Sequence, residues 1–145
     1  MGTPALVVAG LGLSACAFER PESSYASLAD AGRSGAVEKG WIPAWLPPEA
    51  VDIREVHDID TNESMLAFSY DPRQGWRLSG HCQPVDVARV PSPRFSRRWW
   101  PGPDALQASY TFHRCTGDVP YSSAVTWVGR HGAEGHGLHW RTRAR

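Results

Sequence analysis

The sequence predicts an α+β domain made of one N-terminal helix and an antiparallel sheet of about five strands, with a long proline-rich excursion. Apolar residues recur at roughly helical spacing between residues 27 and 38. Later segments instead alternate apolar and polar residues, the period of a strand with one buried face. The 145 residues, with 12 prolines and 14 glycines between these segments, fit a single domain long enough to bury a core.

The predicted helix covers 27–38, although Gly32 and Gly35 each cost about 1 kcal/mol relative to alanine. Segment 40–48 contains three prolines together with Trp41 and Trp45. Because proline is excluded from helix interiors and central strands, we expect an extended or single-turn segment packed on the core.

Strands are predicted around Val51–Ile53 and Leu66–Tyr70, joined by the turn-forming residues 57–63 into an antiparallel hairpin. Residues 84–103 contain five prolines and no clear period, which predicts the irregular excursion. Residues 108–114, 122–128 and 137–142 alternate again, with turns at 116–118 and 129–135 between them. These three segments predict an antiparallel meander.

The start of the chain carries a targeting pattern. An uncharged, apolar run over residues 4–13 leads to Leu13-Ser14-Ala15-Cys16, and it is too short to span a bilayer. The pattern resembles the lipobox of bacterial lipoprotein precursors, which implies a signal peptide over 1–15 and lipid attachment at Cys16. We therefore expect a flexible tether over 16–24 and one folded domain over 25–145. The alternative is a cytoplasmic protein with residues 4–13 buried in the domain.

Two further cysteines, Cys82 and Cys115, form an even pair. In an oxidising compartment such a pair predicts a disulfide. The alternative is two buried free thiols.

A second resemblance rests on 39–43, on Leu46-Pro47 and on 53–62, with weaker support from Trp99-Trp100-Pro101. These residues are similar to a family of small bacterial lipoproteins that carry a YbbD head domain. The resemblance implies an envelope protein of α+β build. It implies no activity, so no catalytic residues are assigned from it.

Charge is divided unevenly along a chain whose formal net charge is zero. Residues 16–71 contain 11 acids and 4 bases, whereas 72–145 contain 4 acids and 11 bases. We expect the halves to complement each other across the fold; a basic surface for an anionic partner is the alternative.

Aromatic and cationic side chains predict a candidate binding surface. The alternative is that the aromatic side chains pack on the core. Its residues are Trp41, Trp45, Arg94, Arg97, Arg98, Trp99 and Trp100.

The sequence contains no complete catalytic or metal-binding motif. His57, Asp58 and Asp60 form the one compact acid–base cluster, which also fits a hairpin turn. Asp58 opens a calcium-loop spacing, but Glu63 and Ser69 occupy positions that require glycine and glutamate. The spacing of His131, His136 and His139 favours a polar loop over a metal site.

We therefore expect no metal and no cofactor, and a lipid-anchored envelope protein. Ala17 after the cysteine, rather than aspartate, resembles the pattern of lipoproteins sorted to the outer membrane of diderm bacteria, which implies a position there facing the periplasm. Its expected role is non-catalytic, as a binding or accessory module for another envelope protein or an anionic envelope polymer, with no nucleic-acid partner. The alternative is an envelope hydrolase that uses His57, Asp58 and Asp60.

Overall fold

A computed structural model describes residues 20–116 and 124–144. Its described elements are β1 (Glu22–Ser27), α1 (Leu28–Arg33), β2 (Val51–Asp58), β3 (Glu63–Ser69), β4 (Cys82–Val85), a 3-10 turn (Val87–Arg89), α2 (Pro103–Ser109), β5 (Thr111–Cys115), β6 (Ala124–His131) and β7 (His136–Arg143). The strands form one antiparallel sheet in the order β1-β2-β3-β7-β6-β5-β4. The signal peptide and Cys16 lie outside the described residues.

The predicted fold class is wrong. A sheet of seven strands dominates the described chain, and the helices span only six and seven residues. The prediction missed β1 and β4, the two edge strands. β1 carries mostly polar side chains, and β4 has only four residues and contains a proline, so neither shows the apolar alternation that reveals the central strands.

The N-terminal region shows the first of these differences. Residues 22–24, predicted as part of the tether, lie in β1, where Glu22 pairs with Val56. The helix begins later than predicted, at Leu28, because the Ser27 hydroxyl caps it by accepting the amide of Asp30 at 3.1 Å. It ends at Arg33, shortly before Gly35 turns the chain with a φ of 81°.

The two faces of the sheet are both covered. The front face carries Ile53, Leu66 and Phe68, which pack against the segment 31–50 that follows β1. Ile42 and Leu46 are buried in that layer, so the segment 40–48 packs on the core as predicted. The back face carries Val56, Met65 and Trp140, which pack against residues 85–110.

The proline-rich excursion is less irregular than predicted. Its beginning forms β4, which can hold Pro84 because an edge strand leaves one side without ladder bonds. Its end forms α2, with Pro103 in the first turn. Residues 108 and 109, predicted as strand, therefore belong to the helix.

The meander is present, with corrected bounds. β6 continues to His131, so the turn before β7 spans only 132–135 rather than 129–135. Residues 117 and 118 of the other predicted turn lie outside the described residues. In the part of the chain that the structure describes, no helix is long and apolar enough to cross a bilayer.

Candidate functional site

The back face holds an aromatic cluster built from β5, β7 and the proline-rich segment. The indole of Trp140, in the central strand β7, donates a hydrogen bond to the carbonyl of Pro91 at 3.0 Å. Trp100 meets the same indole edge-to-face at 5.4 Å between ring centroids, and Phe112 does so at 6.2 Å. Edge-to-face pairs add to the stability that burial gives, so the proline-rich segment is fixed over the sheet.

A cleft of about 380 Å³ opens between this segment and the sheet. Its volume falls within the range of small-ligand sites. The lining is mainly aromatic, aliphatic and proline side chains, with two arginines at one side. Those that define its shape are Val90, Pro91, Phe95, Trp100, Leu106, Phe112, Trp140, Arg94 and Arg97.

The two arginines at the cleft already have anionic or carbonyl partners. Arg94 Nη1 lies 2.7 Å from Glu63 Oε2 and 3.6 Å from Asp58 Oδ2. Arg97 Nη2 donates to the carbonyl of Arg20 at 2.7 Å, and its Nε lies 3.5 Å from Glu22. Because these charges are compensated, the cleft is suited to an apolar group rather than to a free anion.

The remaining predicted surface residues fall into two groups. Arg98 and Trp99 lie beside the cleft, lining a neighbouring depression that also contains Arg20 and Arg97. Trp41 and Trp45 lie on the front face instead: Trp41 stacks on His57 at 4.1 Å and Trp45 on Trp76 at 5.5 Å. The structure therefore does not join all seven residues into one surface, because the sheet separates the two tryptophans from the rest.

The three residues of the predicted acid–base cluster are also separated. His57 faces the front, where its Nδ1 lies 2.5 Å from Glu55 Oε1. Asp58 is buried on the back face, 2.8 Å from the Arg20 guanidinium, and Asp60 is exposed in the turn. Neighbouring strand residues point to opposite faces, so His57 and Asp58 cannot act on one substrate atom from these positions.

Asp58 organises the hairpin turn. Its Oδ1 accepts the backbone amides of Asp60 at 2.9 Å and Thr61 at 3.3 Å, and the turn reaches a left-handed conformation at Asn62, with φ 57°. Burial raises the pKa of Asp58, but these amide bonds and the charges of Arg20 and Arg94 outweigh it, so the pKa is lowered. The turn interpretation of this segment is confirmed for Asp58.

A buried polar cluster on the front face was not identified from the sequence. Arg141, 5% exposed, donates to Ser64 Oγ at 3.0 Å, to Asn62 Oδ1 at 3.2 Å and to the carbonyl of Gly40 at 2.9 Å. Glu55 is fully buried. Burial raises its pKa to about 8, although the positive charge of Arg141 lowers it in part.

His57 completes this cluster next to Glu55. Burial, Arg141 and Lys39 lower the pKa of His57, partly offset by Asp58. At neutral pH these shifts favour a neutral carboxylic acid hydrogen-bonded to a neutral imidazole. The signal available in the sequence was a break in alternation, because Glu55 occupies the position where Val51 and Ile53 lead one to expect an apolar residue.

The expected disulfide is present between Cys82 and Cys115. It joins β4 to β5 at a directly paired position, and both cysteines pack with the front-face core. Over residues 20–116 and 124–144, no group of three or more His, Cys, Asp or Glu side chains is arranged to hold a metal ion. His131 and His136 pair across the β6–β7 hairpin, while His139 is buried.

These features define a class: a seven-stranded antiparallel sheet covered on both faces, with an aromatic cleft under one cover. Residues 19–69, about a third of the chain, match the family model of the YbbD head domain. The match confirms the predicted resemblance over α1 and strands β1 to β3. No curated protein and no solved structure matches the chain significantly.

Proposed function

We propose that this chain is a non-catalytic binding module of the bacterial cell envelope, anchored by lipid at Cys16 and placed at the outer membrane facing the periplasm. The site is the back-face cleft, and its ligand is an apolar segment of another envelope protein. The observation that carries the binding role is the 380 Å³ cleft itself, with its aromatic lining and its neutralised arginines.

An apolar ligand fits the energetics of this cleft. Phe95, Trp100 and Leu106 offer surface whose removal from water contributes about 25 cal/mol per Å². The Trp140–Pro91 hydrogen bond fixes the cleft wall, which lowers the entropy cost of binding. A non-catalytic role agrees with the separation of His57 from Asp58 on opposite faces.

The binding role is tested with 1-anilinonaphthalene-8-sulfonate, a fluorescent probe that binds apolar sites. Ser92 lines the cleft, so Ser92→Trp fills it and is expected to weaken probe binding at least tenfold. Ser79→Trp, at an exposed site outside the cleft, is the matched control. Equal probe affinity in both variants, with unchanged melting temperatures, contradicts the proposal.

The anchor has its own test. Replacement Cys16→Ser removes the thiol that would receive the lipid, and we expect the protein to move from the membrane fraction to the soluble or unprocessed pool. Mass spectrometry of the wild-type protein should show an acylated N-terminus at residue 16. An unchanged distribution together with an unmodified residue 16 contradicts anchoring.

A further inference from the structure

A second depression lies at the end of the sheet and adjoins the apolar cleft, with which it shares the wall formed by residues 91–94. It has a volume of about 830 Å³ and is bounded by the proline-rich segment on one side and by β5, β6 and β7 on the other. Four arginines line it: Arg89, Arg94, Arg114 and Arg143. Glu63 is the single acidic residue among the described residues of this lining.

The charge of this arginine groove is compensated only in part. Arg94 is paired with Glu63 at 2.7 Å, which leaves Arg89, Arg114 and Arg143. These three side chains are exposed, and none forms an ion pair with an acidic residue of the described chain. Three neighbouring positive charges in an open groove attract an anionic partner.

The position of the groove indicates which anion reaches it. Arg20, the first described residue, contacts Asp58 at 2.8 Å, and Arg94 contacts both Asp58 and Glu63. The chain therefore enters the fold at the same end of the sheet as the groove. The turn there presents Ile59, whose side chain is 74% exposed.

The length of the connection to Cys16 limits how far this end can lie from a bilayer. An extended chain spans at most about 3.5 Å per residue, so the four residue steps from Cys16 to Arg20 span no more than about 14 Å. An arginine groove and an exposed isoleucine this close to a lipid anchor match the headgroup and interfacial layers of a membrane.

We propose that the arginine groove binds the phosphate headgroups of an anionic bilayer and, with Ile59, orients the sheet with its β2–β3 turn toward the membrane. This inference rests on the proposed anchor at Cys16. In this orientation the apolar cleft lies along the side of the domain, where it stays open to a partner protein.

The test measures binding of the full chain carrying Cys16→Ser to vesicles of phosphatidylglycerol or of phosphatidylcholine. The variant Arg89→Gln/Arg114→Gln/Arg143→Gln is compared with Arg33→Gln/Arg54→Gln/Arg77→Gln, which removes three exposed arginines elsewhere. The apolar leader is common to all chains, so its own lipid affinity cancels. Each arginine at an anionic surface raises the membrane partition coefficient about fivefold. The affinity of the groove variant for phosphatidylglycerol vesicles should therefore be about a hundredfold lower than that of the unsubstituted groove.

Further measurements separate the outcomes. The lysine variant Arg89→Lys/Arg114→Lys/Arg143→Lys should keep most of the binding, because charge rather than fork geometry is required. Raising the salt concentration should weaken wild-type binding. Equal loss in the groove and control variants, or equal binding to both lipids, overturns the proposal. Displacement by millimolar soluble glycerol 3-phosphate also overturns it, since the groove would then be a small-molecule site.

The result is independent of the anchor test, because the Cys16→Ser chain cannot be lipidated. If the wild-type protein is acylated but the groove variant keeps its preference for phosphatidylglycerol, lipid attachment at Cys16 is supported and headgroup binding by the arginine groove is refuted. If the groove variant loses this preference while residue 16 of the wild-type protein is unmodified, headgroup binding by the groove is supported and lipid attachment at Cys16 is refuted.

Discussion

At the scale of single residues, Glu55 makes the stability of this protein depend on pH. Its pKa is raised to about 8 by burial, whereas an unfolded glutamate ionises near 4.5. Unfolding therefore releases a proton between these values, so the protonated carboxyl contributes stability that is fully present below pH 4.5 and lost as the pH rises through 8. His57 acts in the opposite direction, because its lowered pKa costs stability as the pH falls below 6.5.

We expect the melting temperature of the wild-type protein to fall between pH 7 and 8.5, and Glu55→Gln to remove most of that fall. The amide keeps the shape of the carboxyl and its ability to donate to His57, but it does not ionise. Glu38→Gln, at an exposed site, should leave the profile unchanged. Parallel profiles for the wild type and Glu55→Gln across this range would refute the assignment.

Gly135 is a second residue whose replacement has a defined cost. Its φ is 69°, and an added Cβ would collide with the carbonyl oxygen of Tyr70. The backbone around it is fixed by a 2.7 Å hydrogen bond from the Tyr70 amide to the Gly135 carbonyl. Gly135→Ala should therefore lower the free energy of unfolding by about 2–3 kcal/mol, from strain and steric overlap together.

Gly132 lies in the same turn and provides the control. A Cβ at Gly132 meets nothing within 4 Å, so Gly132→Ala should change the stability by less than about 1 kcal/mol. The measurement is urea unfolding of both variants. Similar midpoints for the two would show that the turn adjusts without cost, against the prediction.

At the scale of secondary structure, the disulfide determines how firmly β4 is attached. β4 has four residues and pairs with β5 on one side only. The Cys82–Cys115 bond closes a loop of about 34 residues, for which the chain-entropy model gives about 3.8 kcal/mol. Cys82→Ala/Cys115→Ala should lower the free energy of unfolding by up to that amount, and hydrogen exchange should accelerate most in β4. Unchanged exchange in β4 would show that the strand is held by other contacts.

Trp140 is expected to hold the proline-rich segment against the back face of the sheet. Trp140→Phe removes the indole hydrogen bond to Pro91 and should raise hydrogen exchange across residues 88–100. Trp127→Phe removes a comparable bond, to Thr142 Oγ1 at 3.0 Å on the same face, and should leave that segment protected. If both variants behave alike, the effect belongs to general packing and not to the Pro91 contact.

The strands that could be predicted from the sequence are those with large apolar residues at every second position. β3 has Leu66 and Phe68 and β7 has Leu138 and Trp140, and both were identified, although both strands are buried on both faces at the sheet centre. β1 was missed because Glu22, Ser23 and Ser24 resemble a solvated tether, although their backbone completes the ladder of β2. The site was found in part: Arg94 and Trp100 line the cleft, whereas Glu55 was not recognised, because a charged side chain in a strand normally faces solvent.

At the scale of the whole molecule, the acidic and basic halves of the chain are joined within one sheet. β3 of the acidic half pairs with β7 of the basic half over six residues at the sheet centre. Ion pairs also cross between the halves, at Arg94–Asp58, Arg94–Glu63 and Arg97–Glu22. These contacts confirm the expected complementarity, and they also place the family-matched residues 19–69 in a sheet that they do not complete.

A fragment of residues 16–71 should therefore be unfolded by itself. In the fragment β3 loses its partner β7, and Leu66 and Phe68 lose part of the core that buries them. Three strands with one short helix also bury too little apolar surface to fold alone. Mixing it with a fragment of residues 72–145 should restore the native circular dichroism and the dispersed NMR spectrum. The fragments carry 11 acids against 4 bases and 4 acids against 11 bases, so their net charges of −7 and +7 attract. Their affinity should consequently fall as the salt concentration rises. A dispersed spectrum from the first fragment alone would show instead that the matched region is an independent folding unit, to which the rest of the sheet is an addition.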